Sequence, residues 1–182
     1  AISISSSITW AVSMERFWHL QQCNKLRRLS LDTCRQYLRS SGARCMIADD
    51  VILAARQCVG TPFRHQGRLI GVGLDCAGVA VHVAEQLGCG VIDVSGYGRT
   101  PINGQLEATL GSQPFLRQVA VQDAQPGDIL LMRFAGEPQH LAIMAEGMII
   151  HAYESVGMCC EHSLSSKWAA RIVSCYRFSG LS

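Results

Sequence analysis

Beyond residue 125 the 182-residue chain divides into short apolar runs separated by turn residues, and this pattern restricts the fold more than any other feature. Asp128–Phe134 follows the turn Gln125-Pro-Gly127. Gln139–Met144 and Met148–Tyr153 come next, joined by Ala145-Glu-Gly147, a tight hairpin signal. Met158–His162 reads as a fourth strand, Ser163–Ala170 as a short helical turn, and Arg171–Phe178 as a closing strand with alternating apolar residues. Helical patterns lie ahead of these runs. Asp49 and Asp50 are placed to cap a helix through Val51–Cys58, with Val51, Ile52, Ala55 and Val59 on one face and Gly60-Thr-Pro62 as its stop. A glycine-punctuated loop follows, then Asp75 and Cys76 open an Ala/Val-rich helix that reaches Leu87 and ends at Gly88. Residues 106–110 form one more short helix. Helices first and antiparallel strands afterwards predict an α+β domain, with the helices packed on the sheet.

Composition removes several classes. Hydrophobic residues make up 48% of the chain and charged residues 16%, which excludes a disordered, highly solvated polymer and supplies one domain with a proper core. No apolar run approaches the ~20 residues that cross a bilayer. The longest candidate, Leu141–Ile150, is interrupted by Glu146 and Gly147, so no membrane insertion is expected. The N-terminus lacks the basic, apolar and small-residue succession of a signal peptide. Nine cysteines is an odd count, with no CxxC pair. Cys23, Cys34 and Cys45 recur every eleven residues, but no His or Cys completes a zinc-finger spacing. The expectation is a reduced protein whose cysteines are mostly small buried apolar groups, with no metal ligand set.

Charge is unevenly placed. Residues 1–45 carry a net +5 and the remainder −3, a shift that marks a boundary near Met46. Residues 1–45 are expected to be a basic leader, poorly ordered or not part of the natural protein, and 46–182 the functional domain. A basic arm that stacks nucleic-acid bases on Trp10, Phe17 and Trp18 is the competing reading. For the domain itself no nucleic-acid partner is expected.

One thiol stands apart. Cys76 sits in the first turn of its helix, where the partial positive charge favours thiolate and unpaired backbone N–H groups can receive a developing oxyanion. Gly78 leaves that turn uncrowded. A thiolate needs a base, ordinarily His, and a polar group to orient it. His140 begins one strand and His151 lies near the end of the next, so a hairpin centred on Glu146 brings them together at its open end. His140 is assigned as general base and then acid, and His151 as orienter, although the sequence alone leaves the two roles exchangeable. His19, His82 and His162 have no such setting, His162 being read as part of a late loop. Zinc on Cys76, His140 and His151 is disfavoured because a fourth ligand and a motif spacing are missing.

Five motifs extend the argument: Gly60-Thr-Pro-Phe-Arg-His-Gln-Gly67, Gly73-Leu-Asp-Cys-Ala-Gly78, Gln125-Pro-Gly-Asp128, His140-Leu-Ala-Ile143 and Ile149-Ile-His-Ala-Tyr153. Together they resemble the NlpC-type cell-wall cysteine peptidases. With the ending Trp168…Arg171…Tyr176-Arg-Phe178 they are most similar to the branch encoded in phage tail gene clusters. The resemblance runs from Met46 to about Phe178. It implies a papain-like α+β fold, a Cys76, His140 and His151 catalytic set, and no cofactor. It also implies peptidoglycan stem peptides as substrate, cut between D-γ-glutamyl and a diamino acid, with phage tail-tip proteins as candidate partners. The implied location is the bacterial cytoplasm at synthesis, then the virion tail or the cell-wall and periplasmic space. Asp75, Ala77, Phe63, His65 and Gln66 become candidates for substrate binding or oxyanion support. Two departures stand out. Phe63 replaces a common Tyr, forfeiting a donor worth ~3 kcal/mol of transition-state stabilisation unless His65 or Gln66 substitutes. Ala77 replaces a frequent Ser. The alternative is a weak or inactive module of the same fold that serves tail assembly or wall binding.

Overall fold

The computed structural model describes residues 46–99, 101, 103–134 and 136–178; the expectation for residues 1–45 lies outside these. The first helix, α1 (Met46–Gln57), buries Val51, Ile52, Ala54 and Ala55, with Cys58 just past its end on the same face. This is the spacing of an apolar stripe at helical period. The helix begins earlier than its pattern suggested. Asp49 and Asp50 therefore lie within the helix instead of capping it, and Asp49 sits in the first turn, where the macrodipole favours an acid.

A small ribbon of β1 (Arg68–Leu69) and β2 (Gly73–Leu74) leads into α2 (Cys76–Gln86). Asp75 caps α2 with its carboxylate, which accepts from the Gly78 N–H at 2.8 Å. At the other end Gly88 adopts φ +74°, the left-handed turn that a helix C-terminus often demands and that glycine takes without strain. A short α3 (Gln105–Gly111) follows.

The strands form one antiparallel sheet of six, in the order β3-β8-β4-β5-β6-β7. Its members are β3 (Leu116–Val119), β4 (Ile129–Arg133), β5 (Pro138–Ala145), β6 (Met148–Tyr153), β7 (Met158–Ser163) and β8 (Ile172–Phe178), with the single turn α4 (Ser166–Ala169) before β8. The expected strands and the Glu146-Gly147 hairpin are present, and the α+β class is as expected. The strand that the sequence left unread is β3, a half-polar edge strand (Leu-Arg-Gln-Val) paired with β8.

Two cores flank the sheet. Leu131, Leu141, Ile143, Ile150 and Ala152 face α1 and α2, while Leu130, Met132, Ala142, Ile149 and Cys175 face the side partly covered by Trp168. Central strands buried on both faces explain why β4 reads as continuous Ile-Leu-Leu-Met instead of alternating. The Gln125-Pro-Gly-Asp128 motif anchors β4. Buried Asp128 accepts two hydrogen bonds from the Arg177 guanidinium on β8, both at 2.8 Å. Gly127 packs so closely on Ala48 that a side chain there would collide with α1. Helix α2 rests on α1 and β5, and this is what brings Cys76 to the strand that carries His140.

Candidate active site

Cys76 opens α2 and is partly exposed. Its sulfur is reached by the backbone N–H groups of Leu141, Ala77 and Cys76 itself, which favour thiolate. Burial and then the neighbouring Asp75 carboxylate work against them and push the thiol up to about 11. The expected lowering by the helix start is therefore reversed in the resting site. The N–H groups are in place, but desolvation of a charge outweighs them.

Three histidines form a line behind this thiol. His140 Nε2 lies 2.6 Å from His151 Nδ1, and His151 Nε2 lies 2.9 Å from His162 Nε2. The β5–β6 ladder pairs Ile143 with Ile150 and Met144 with Ile149, so its register places His140 diagonally to His151. Likewise β6 pairs His151 with Cys160 and Ile149 with His162, which makes His162 diagonal to His151. Rings are long enough to close a diagonal that smaller side chains leave open.

The hydrogen bonds assign the tautomers. His162 Nδ1 faces the carbonyl of Ser163 at 3.0 Å, and a carbonyl only accepts, so that nitrogen carries the proton. In a neutral ring His162 Nε2 then accepts from His151 Nε2–H. His151 Nδ1 in turn accepts from His140 Nε2–H. The bare nitrogen that remains at the front is His140 Nδ1. Both leading rings are held neutral. Burial, followed by the adjacent His151, lowers His140, and burial, followed by His162, lowers His151. Aromatic rings supply that dry setting: Trp168 meets His151 edge-on at 5.0 Å, Tyr153 stacks on His151 at 5.3 Å, and Phe134 meets His140 at 5.2 Å. Arg171 lies over Phe134 at 4.5 Å and closes the outside of the cluster.

Asp75 ties the front of the site together. Its Oδ1 accepts from Gly78 N–H and from Arg68 Nη1, and its Oδ2 accepts from Gln66 N–H at 2.7 Å and the Tyr97 hydroxyl at 2.5 Å. Burial and the bond to Asp75 raise the Tyr97 phenol, which stays a proton donor at neutral pH.

A cavity of about 610 Å³ opens over these groups, a size that holds a small peptide fragment. Cys76, His140, Phe63, His65, Asp75 and Ala77 all line it. His151 is fully buried behind His140 and does not line it. Of the two histidines, His140 is the one that reaches the cavity. Gln66 is not on the cavity wall either: its amide donates to the Tyr97 carbonyl at 2.8 Å and accepts from Gly96 N–H, so it is committed to the loop. His65 Nε2 donates to the same carbonyl at 3.0 Å. Sequence reasoning missed Tyr97 and Arg68, whose loop and ribbon carried no catalytic signal. It also set His162 aside, although that residue ends the expected Met158–His162 strand and lies on β7 in contact with His151. A signal for His162 existed: His140, His151 and His162 recur every eleven residues across three successive strands.

Comparison with known proteins points one way. The model of the NlpC/P60 family matches residues 60–177. A search of curated proteins returns no match. Among solved structures, an NlpC/P60 family protein from Bacillus cereus is similar at 21% identity and a TM-score of 0.53, over 72% of this chain and 40% of that one. The chain thus spans less than half the length of that relative. The peptidoglycan hydrolase RipB of Mycobacterium tuberculosis is similar at 18% identity and a TM-score of 0.51, over 87% of this chain and 84% of its own. RipD of the same organism, a non-catalytic NlpC/p60 domain protein adapted to peptidoglycan binding, is similar at 18% identity and a TM-score of 0.50, over 73% and 97%. At such identities these likenesses establish the fold.

Proposed function

This chain belongs to the NlpC/P60 family, and we propose that it is a cysteine endopeptidase that cuts the peptide stem of peptidoglycan. The observation that carries this reading is the shared cavity wall of Cys76 and His140, with His140 Nδ1 left bare by the imidazole line behind it. As Cys76 Sγ attacks the scissile carbonyl, its proton passes to His140 Nδ1. The resulting imidazolium donates Nε2–H to the bare Nδ1 of His151, which holds the ring and disperses its charge. Backbone N–H groups at the start of α2 receive the oxyanion. His140 then delivers its proton to the leaving amine, and a water deprotonated by the same ring hydrolyses the thioester.

The bond proposed is that between D-γ-glutamyl and a diamino acid, and the proposed setting is a phage or prophage tail that opens the wall locally, with tail-tip proteins as partners. Both rest on the motifs at Gly60–Gly67, Gly73–Gly78 and Trp168–Phe178. The proposed route is synthesis in the bacterial cytoplasm and delivery to the tail or wall. A second reading, a wall-binding module without turnover, is favoured by Phe63, which brings no hydroxyl to the cavity. The test is incubation of the full chain with defined muropeptides and mass analysis. Fragments split beside D-γ-glutamyl, absent with Cys76→Ala, support the peptidase. Bound but uncut muropeptide supports the second reading.

A further inference from the structure

The rear of the imidazole line has chemistry that the peptidase reading does not use. His151 and Cys160 are cross-strand partners on β6 and β7, and His162 lies two residues beyond Cys160 on the same face. One ligand atom from each of the three falls within 4.8 Å of the others. His151 is buried, while Cys160 and His162 are partly exposed, so the group has a rigid inner side and an open outer one.

We propose that His151, Cys160 and His162 form a binding site for a borderline-soft divalent ion, Zn²⁺ foremost, and that its occupation switches off the base at Cys76. Two imidazoles and a thiolate are a donor set that selects zinc-like ions over Mg²⁺ or Ca²⁺, with solvent able to fill the fourth position. The two Nε2 atoms stand 2.9 Å apart and aim at one another. Tetrahedral bonds of about 2.05 Å need a span of roughly 3.3 Å, so these two nitrogens have to part by only a few tenths of an ångström, with both rings tilting off their common axis toward Cys160.

Proton positions connect this site to catalysis. His162 keeps its Nδ1–H on the Ser163 carbonyl and offers Nε2 to the metal. His151 must surrender its Nε2 lone pair, so its proton moves to Nδ1 and points at His140. His140 Nε2 becomes an acceptor and its own proton shifts to Nδ1, the nitrogen that would otherwise take the proton of Cys76. No proton is lost from the three rings. Cys160 releases one to solvent as it binds. The metal thus inverts the tautomers of His151 and His140, leaves that of His162 unchanged, and deprives Cys76 of its base.

The regulatory half of this proposal rests on the peptidase reading, whereas the binding half does not. Co²⁺ titration of the full-length Cys76→Ala protein tests the binding half without turnover and removes the competing front thiol. The expected result is one tight equivalent with a thiolate-to-cobalt absorption band that vanishes in Cys76→Ala/Cys160→Ser. Failure to bind, or binding with an unchanged band in the double variant, overturns the site. Zn²⁺ inhibition of the intact enzyme is then read against each variant's own metal-free rate. Half-inhibition requiring about tenfold more Zn²⁺ in Cys160→Ser and in His162→Gln supports the coupling. Equal sensitivity in all three proteins, or binding without inhibition, overturns it.

Discussion

His140 Nε2 lies 2.6 Å from His151 Nδ1, across a diagonal of the β5–β6 hairpin, and this bond decides which nitrogen of a neutral His140 carries the proton. Replacing His151 removes the acceptor and lets His140 choose its tautomer. His151→Leu is expected to lower kcat about a hundredfold or more with little change in KM, and His151→Gln, which keeps an acceptor oxygen, to recover part of the loss. Initial rates on a defined stem peptide measure both. Long-range imidazole ¹⁵N–¹H spectra of the metal-free protein give the complementary readout: Nε2–H for His140 and His151, and Nδ1–H for His162.

Two neutral, buried imidazoles make the fold acid-sensitive. His140 and His151 are both lowered by burial, so the unfolded chain takes up protons near pH ~6.5 while the folded one still resists. Stability is therefore full above ~6.5 and falls as the pH drops below it, by up to about 1.4 kcal/mol per pH unit for each group. Urea midpoints between pH 7 and 4 test this. The double variant His140→Gln/His151→Gln should show a much shallower slope, and an equally steep one would place the acid sensitivity elsewhere.

The raised thiol of Cys76 has its own signature. In the ligand-free protein the iodoacetamide reaction at Cys76 should be slow at pH 7 and keep rising with pH past the range of an ordinary cysteine, toward the value of about 11 set by burial and Asp75. Peptide mapping of the alkylated site over a pH series follows it. A plateau below pH 8 would mean that a thiolate is already formed at rest.

Asp75 is predicted to be structural before it is anything else. Four donors converge on its two oxygens. Asp75→Asn keeps one oxygen for the Gly78 N–H but turns an NH₂ toward the Gln66 N–H and the Tyr97 hydroxyl. The expected cost is about 2 kcal/mol, with a fall in kcat as the start of α2 and the Tyr97 loop loosen. Denaturation midpoints and rates measured on the same preparation distinguish this from a purely catalytic loss.

The parts of the molecule legible in its sequence were those governed by local periodicity. The Cys76 helix, the β5–β6 hairpin and the meeting of His140 with His151 followed from apolar spacing and one Glu-Gly turn. What escaped depends on register between distant elements. Asp75 was legible as the opening of the Cys76 helix, but its bonds to Arg68 and Tyr97 require a ribbon and a loop that approach only in the folded chain. Gln66 looked free to help an oxyanion, yet its left-handed backbone (φ +59°) and its bonds to the Tyr97 loop commit it elsewhere. The acidity of Cys76 was misjudged for a related reason: a helix start is visible in sequence, whereas the burial that overrides it is not.

Acid-quenched single turnover, read by intact-protein mass, tests the central claim most directly. The protein mixed with an excess of stem peptide should carry an acyl adduct with the mass of the D-γ-glutamyl side of the substrate, mapping to Cys76. The diamino-acid side should be found free in solution, and neither should form with Cys76→Ala or His140→Ala. A substrate that stays intact with no adduct, or cleavage that survives in Cys76→Ala, would contradict the account.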